Sequence, residues 1–383
     1  MLTAFSLATY RERQNRVQER LSKANLDALV VTAPDNINYL TGFDSLGYLW
    51  YQALIISKKL SRPYFLTRTS ELPCVHELSA IESSAYYDIA TQDPLELVAR
   101  ALSDAGLGSA RIGLEMQSFT LSPVQYLRLQ ALLPKATLLD SSTLVADERL
   151  IKSVDEIAYQ RTAARMADAA MQAGLRALRP GVSEIQIAGE MSRALGEAGS
   201  EYPAITPIVA AGRRSTMTHA MPQRLVISAG DVVILELAGV CNRYHAVLMR
   251  SAVVGKPTAR VREVADVLTE AYLAAIEAAK PGAPVGNANA ACNKVLNRLD
   301  LARTRVHRIG YSLGVAYPPS WLEAMIVDES DEHRFAPNMS FTIEPNLSLY
   351  SEGFGLKLGD TVLCMSRGSE SLSELPPGVT IIT

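Results

Sequence analysis

Cysteine is scarce in this chain of 383 residues. Cys74, Cys241, Cys292 and Cys364 stand far apart and form no CxxC pair, which leaves no disulfide framework and predicts reduced, mostly buried thiols. No long basic run occurs and the net charge is −3, which argues against nucleic acid or an anionic membrane as partner. No apolar run is long enough to span a bilayer. The opening stretch, Met1 to Arg11, lacks the basic leader and apolar core of a signal peptide, so a cytoplasmic location is expected. What is present is ordinary globular material, 48% hydrophobic and 20% charged, with length for two cores.

The first part alternates helix and strand patterns. A charged, amphipathic stretch from Tyr10 to Ala24, with Val17 and Leu21 one turn apart, predicts a helix. Leu26 to Thr32 predicts a buried strand, Asn36 to Phe43 a polar-aromatic turn, and Leu49 to Ser57 a second strand. Thr91 to Ala105 reads as a helix and Arg111 to Glu115 as a short strand. This alternation predicts an α/β domain over residues 1–152. Ser153 and Glu156 then form a capping box, opening a long helix that Pro180 and Gly181 stop. A weak internal repeat follows. The helix pair 153–179 and 184–198 is echoed by the pair 260–279 and 286–299, and each pair leads into β-rich sequence. Two such units predict a pseudo-twofold α+β domain over 153–383, with a curved antiparallel sheet, outer helices and a central cleft.

Two glutamates of that domain sit in apolar strands. Glu236 lies within Val232 to Leu237, where a carboxylate is costly to bury unless it is paired or functional; an ion pair with Arg243 or Arg250 is the plainer alternative. Glu344, between Ile343 and Pro345, lies at a strand end, either entering a cleft or facing water at an edge. The histidines are few enough to place singly. His219 sits in a polar loop before the Glu236 strand, solvated or a proton carrier. His245 follows Tyr244, and His307 opens the segment leading to Tyr311, while His76 and His333 lie in charged, surface-like contexts. Tyr311 to Trp321, dense in aromatic residues and proline, is either a packed loop or a pocket wall formed by Tyr311, Tyr317 and Trp321.

The segments Gly230 to Leu237, Gly310 to Gly314 and Phe341 to Pro345 resemble the site segments of the creatinase/prolidase/aminopeptidase P superfamily, and Asn36 to Phe43 resembles a signature of its N-terminal domain. The resemblance runs over nearly the whole chain. It implies a creatinase-type N-terminal domain over 1–152 and a "pita-bread" catalytic domain over 153–383. In the metal-dependent peptidases of the superfamily, the ligand positions fall here on Glu236, Val247, Tyr311, Glu344 and Gly359. His219 matches a non-ligand histidine of the family, and Arg250 an arginine after the second ligand position. With Val247, Tyr311 and Gly359 at ligand positions, the resemblance implies the metal-free branch, close to ectoine hydrolase and creatinase. The stretches Tyr202 to Pro207, Arg243 to His245 and Tyr317 to Trp321 are similar to ectoine hydrolase, although Glu344 departs from it.

The expectation is therefore a metal-independent, cofactor-free hydrolase of C–N bonds in a small amidine or guanidine compound bearing a carboxylate. Glu236 would attack directly or activate water, His219 would move the proton to the departing nitrogen, and Glu344 would hold the cationic N–H groups. Arg250, Arg213 or Arg214 would grip the substrate carboxylate, with Tyr244, His245, Tyr311, Tyr317 and Trp321 around it. The family resemblance also implies a homodimer, in which Phe43 and Trp50 reach the partner's pocket. Two alternatives stand beside this: an Xaa-Pro peptidase with a rearranged mononuclear metal, and a binding protein without catalysis.

Overall fold

The computed structural model describes residues 3–383. The chain divides into two compact units, Met1–Arg149 and Leu150–Thr383. The architecture is an α/β unit followed by an α+β unit.

The first unit is built on a six-stranded mixed sheet in the order Ser84–Tyr87, Tyr64–Arg68, Ala53–Ser57, Ala28–Val31, Arg111–Leu114, Thr137–Asp140. Its opening helix, Leu7–Lys23, is capped by Ser6 and buries Tyr10, Val17 and Leu21, residues spaced by helical turns. The segment expected to be a turn at 36–43 is instead the helix Pro34–Thr41. Pro34 suits its first turn, where no backbone donor is needed, and Gly42 closes it at φ 74° with its N–H on the Asn38 carbonyl. Within this unit Phe43 packs on Phe65, with ring centroids 5.1 Å apart, and Trp50 is exposed beneath the Arg68 guanidinium.

The second unit carries a nine-stranded sheet. Its main path runs Ser320–Ile326, Tyr311–Tyr317, Ser340–Ile343, Gly359–Met365, Tyr244–Val254, Val232–Cys241, Ile208–Ala211, antiparallel at each step. A hairpin of Asn346–Leu349 and Phe354–Lys357 stands apart from it. The aromatic segment 311–321 is thus two paired strands, joined through Pro318 and Pro319, rather than a loop.

Outer helices cover the sheet. Helix Val154–Ala177 starts at the expected box: Ser153 Oγ accepts from Glu156 N–H, and Glu156 Oε2 accepts from Ser153 N–H. This helix lies so close to Val232–Cys241 that a Cβ on Gly239 would stand 2.0 Å from the Ala163 carbonyl oxygen, so only glycine fits there. Ala167, Ala170 and Met171 pack with Leu235, Leu237 and Leu248 in one core. Helix Ala259–Ala278 packs Val264, Leu268 and Tyr272 with Phe341, Ile343 and Val362 in another. Coverage of this kind explains why the central strands read as unbroken apolar runs rather than alternating ones. Among the described residues, no helix is long and apolar enough to cross a membrane, and the four cysteines are free thiols.

Candidate active site

The sheet register sets one floor. Ile208 pairs with Glu236, Glu236 with Met249, and Met249 with Gly359, so a single row crosses four strands. Glu344 follows directly on the strand Ser340–Ile343, and its N–H donates to the Ile309 carbonyl over 2.6 Å. Its side chain lies over Gly359, where an added Cβ would stand 2.7 Å from the Glu344 Cβ. Ile208, Glu236, Met249 and Glu344 line a cavity of about 320 Å³, the low end of small-ligand sites.

Four polar residues complete it that were not expected to carry function: Lys357, His307, Arg308 and Asn346. Lys357 Nζ donates to Glu236 Oε2 over 2.5 Å and to the Thr218 carbonyl over 2.6 Å, and both side chains of the ion pair are buried. Glu236 is therefore paired, but with Lys357 and not with Arg243 or Arg250. A signal for Lys357 existed: it lies in the apolar strand Phe354–Lys357, as costly a place for an ammonium as the Glu236 strand is for a carboxylate.

Burial pushes the Glu344 carboxyl up to about 8, with the nearby Glu236 charge adding to the shift. At neutral pH this group is a neutral O–H donor. A chain of hydrogen bonds orients it: Trp321 Nε1 donates to Tyr311 Oη over 2.8 Å, and Tyr311 bonds Glu344. His307 is pushed down to about 4 by burial, so its ring is neutral. Its Nδ1–H donates to the Arg308 carbonyl over 2.5 Å, which leaves Nε2 to accept from Asn346 Nδ2 over 2.8 Å. His219 is exposed at the cavity mouth and stacks on His307, with centroids 6.3 Å apart and planes 10° apart.

The structure gathers His219, Glu236, Glu344, Tyr311 and Trp321 in one cavity. The other expected binding residues are held elsewhere. Arg250 donates to Asp360 Oδ1 over 2.8 Å, Arg214 to Glu184 Oε1 over 3.1 Å, and Arg213 lies over the Tyr350 ring. Tyr244 donates to Glu156 Oε1 over 2.6 Å, reinforcing the helix cap. His245 is wholly buried, accepts from Ala204 N–H through Nε2, and is pushed down to about 3 by burial. Tyr317 packs under the Arg243 guanidinium. Tyr244 and Arg250 stand at odd spacings from Met249 along the strand Tyr244–Val254, so they face the other side of the sheet from it. Phe43 and Trp50 belong to the first unit and do not line this cavity.

The fold and this cavity define the class. Residues 158–366 match metallopeptidase family M24 and residues 13–151 match the creatinase/prolidase N-terminal domain; the chain belongs to family M24 and is a hydrolase of that superfamily. Among similar proteins, an ectoine hydrolase from Halomonas elongata is 27% identical, covering 97% of each chain. An Xaa-Pro dipeptidase from Pyrococcus horikoshii is 25% identical over 95% of this chain and 97% of its own. A solved Xaa-Pro dipeptidase from Bacillus anthracis has a TM-score of 0.86 at 24% identity, covering 97% of this chain and all of its own.

These comparisons correct the assignment to a metal-free creatinase or ectoine hydrolase branch. The matching family is one of metallopeptidases, and Xaa-Pro dipeptidases recur among the relatives. The charge balance of the cavity also departs from that of a site for a cationic substrate. Lys357 neutralises Glu236, and Glu344 is protonated, so the pair of free carboxylates expected to hold a cationic substrate does not exist.

Family membership implies metal ions, and the residues present do not fit a dinuclear centre. Among the described residues, no group of three or more His, Cys, Asp or Glu side chains could hold one. Val247 lies in an apolar cluster with Tyr311, Leu313 and Trp321. Gly359 is roofed by Glu344, leaving no room for a ligand side chain, and the Lys357 ammonium occupies one Glu236 oxygen.

Proposed function

We propose that this chain hydrolyses the amide bond of small Xaa-Pro dipeptides. Relatives named as Xaa-Pro dipeptidases support the bond type. One observation in the cavity carries the reading: Glu344 Oε2, Asn346 Oδ1 and Arg308 Nε are all buried there without a hydrogen-bond partner. Native interiors leave few such atoms, and a cluster of them around one small cavity suits a ligand with its own N–H, C=O and carboxylate groups.

Each step is assigned to side chains of this chain. Glu236, fixed by Lys357, takes a proton from the attacking water. The water oxygen bonds the carbonyl carbon, and the protonated Glu344 donates to the oxyanion that develops. The C–N bond breaks, and His219 at the mouth relays the proton taken up by Glu236 to the departing nitrogen. Met249, Trp321 and Ile208 exclude bulk water from the reacting atoms.

The test is proline release from Gly-Pro, Ala-Pro and Leu-Pro by purified protein, with and without added manganese. Release that falls roughly 10²- to 10⁴-fold in Glu236→Gln is expected. No release by the native protein under either condition would overturn the proposal.

A further inference from the structure

We infer that Arg308 selects substrates that carry a free carboxylate, making this a site for dipeptides rather than for C-terminally extended or amidated chains. The inference rests on the dipeptidase reading above and names its substrate class more narrowly.

The arginines near the sheet differ in what they touch. Arg250 and Arg214 are held by Asp360 and Glu184, Arg243 donates to the carbonyls of Tyr202 and Ala316, and Arg213 lies on Tyr350. Arg308 lines the cavity, and no ion pair among the described residues involves it. Its Nε is buried with no acceptor, as are those of Arg243 and Arg250, but among the described residues their terminal nitrogens are hydrogen-bonded and those of Arg308 are not; its guanidinium lies 5.4 Å from the centre of the Tyr311 ring. A buried donor left unmatched is costly, and a guanidinium presents a planar fork whose natural complement is a carboxylate. The anchor is also rigid at its root. The Arg308 carbonyl accepts from His307, the Ile309 carbonyl accepts from Glu344 N–H, and the Gly310 carbonyl accepts from Val327 N–H. Lys357 cannot serve instead, since its ammonium is engaged by Glu236 and the Thr218 carbonyl. In the cavity, Arg308 is thus a cation without a counter-charge.

The test has two arms. In the first, Arg308→Gln and Arg308→Lys are assayed on Ala-Pro, with melting temperatures to show that both fold. A KM increase of roughly 10- to 100-fold in Arg308→Gln, with the smaller part of the loss in kcat and partial rescue by Arg308→Lys, is expected. In the second, binding of N-acetylproline and N-acetylprolinamide is measured by calorimetry. Native protein should prefer the acid by a similar factor, and Arg308→Gln should lose that preference. An unchanged KM, or an acid preference that survives in Arg308→Gln, would overturn the inference. Failure of native protein to cleave any dipeptide, with the Arg308-dependent preference intact, would instead remove the proposed reaction and leave the anchor standing.

Discussion

Lys357 Nζ and Glu236 Oε2 lie 2.5 Å apart in a buried ion pair, and the same ammonium holds the Thr218 carbonyl next to His219. One cation thus ties the site's carboxylate strand to its histidine loop. Burying two charges is costly, but removing one partner costs more, because the other is left without compensation.

Lys357→Met should therefore destabilise the protein by about 3–5 kcal/mol, while Lys357→Met combined with Glu236→Gln should recover most of the loss. Urea unfolding of the native protein, both single variants and the double variant measures the coupling. If Lys357→Met is as stable as the native protein, the pair is not holding this part of the fold.

Glu344 gives stability a direction with pH. Its folded-state pKa is raised from 4.5 to about 8 by burial, with Glu236 adding to the rise and Lys357 and Tyr311 opposing it. Between those values the folded state holds a proton that the unfolded state has lost. Stability should therefore fall as pH rises from about 4.5 to about 8 and level off above. His307, pushed down from 6.5 to about 4, acts in the opposite sense, adding stability as pH rises between those two values. Glu115, raised by burial to about 7, adds to the same decline below that value, so the window from about 7 to about 8 reports Glu344 most directly, and Glu344→Gln should flatten the decline there. A native stability curve that rises across this window would contradict the assignment.

Much of the frame was legible in the sequence because it follows from short-range chemistry. Ser153 and Glu156 announce a helix start by their spacing, and Gly181 and Gly282 mark helix ends at positive φ. Glu236 stood out because a carboxylate in an apolar strand needs a reason. What was not legible was pairing across the sheet. Arg250 reaches Asp360, more than a hundred positions along the chain, and Lys357 reaches Glu236 at a comparable separation. No local pattern encodes those contacts. His307 and Arg308 were missed as site residues for a similar reason: the strand that follows them enters the sheet beside Ser340–Ile343, and only that placement turns them toward Glu344. The same gap misled the reading of charge, because without Lys357 the two glutamates looked like free anions.

Gly359 should resist any side chain. A Cβ there would meet the Glu344 Cβ at 2.7 Å, its Cα at 3.0 Å and the Ile343 carbonyl oxygen at 3.2 Å. Two of those atoms are backbone and the third is bonded directly to it, so Gly359→Ala must push Glu344 out of the cavity. A loss of about 1–3 kcal/mol from overpacking is expected, together with a large loss of turnover. Melting temperature and kcat on Ala-Pro report both, and a fully active Gly359→Ala would show that Glu344 has freedom that the packing does not suggest.

The last prediction concerns how the acid is held. Tyr311 stands between two partners, accepting from the Trp321 indole over 2.8 Å and bonding Glu344. Tyr311→Phe keeps the ring but removes the hydroxyl, leaving the buried indole N–H without an acceptor at a cost of about 1–3 kcal/mol. It also removes a bond that lowers the Glu344 pKa, so the carboxyl should titrate higher still. The stability decline would then continue beyond the pH where it ends in the native protein. Trp321→Phe removes the donor and leaves the Tyr311 hydroxyl on Glu344, so it should leave the end of the decline in place. Denaturant unfolding across pH 6.5–10 separates the two variants, and equal shifts in both would show that the hydroxyl does not tune the acid.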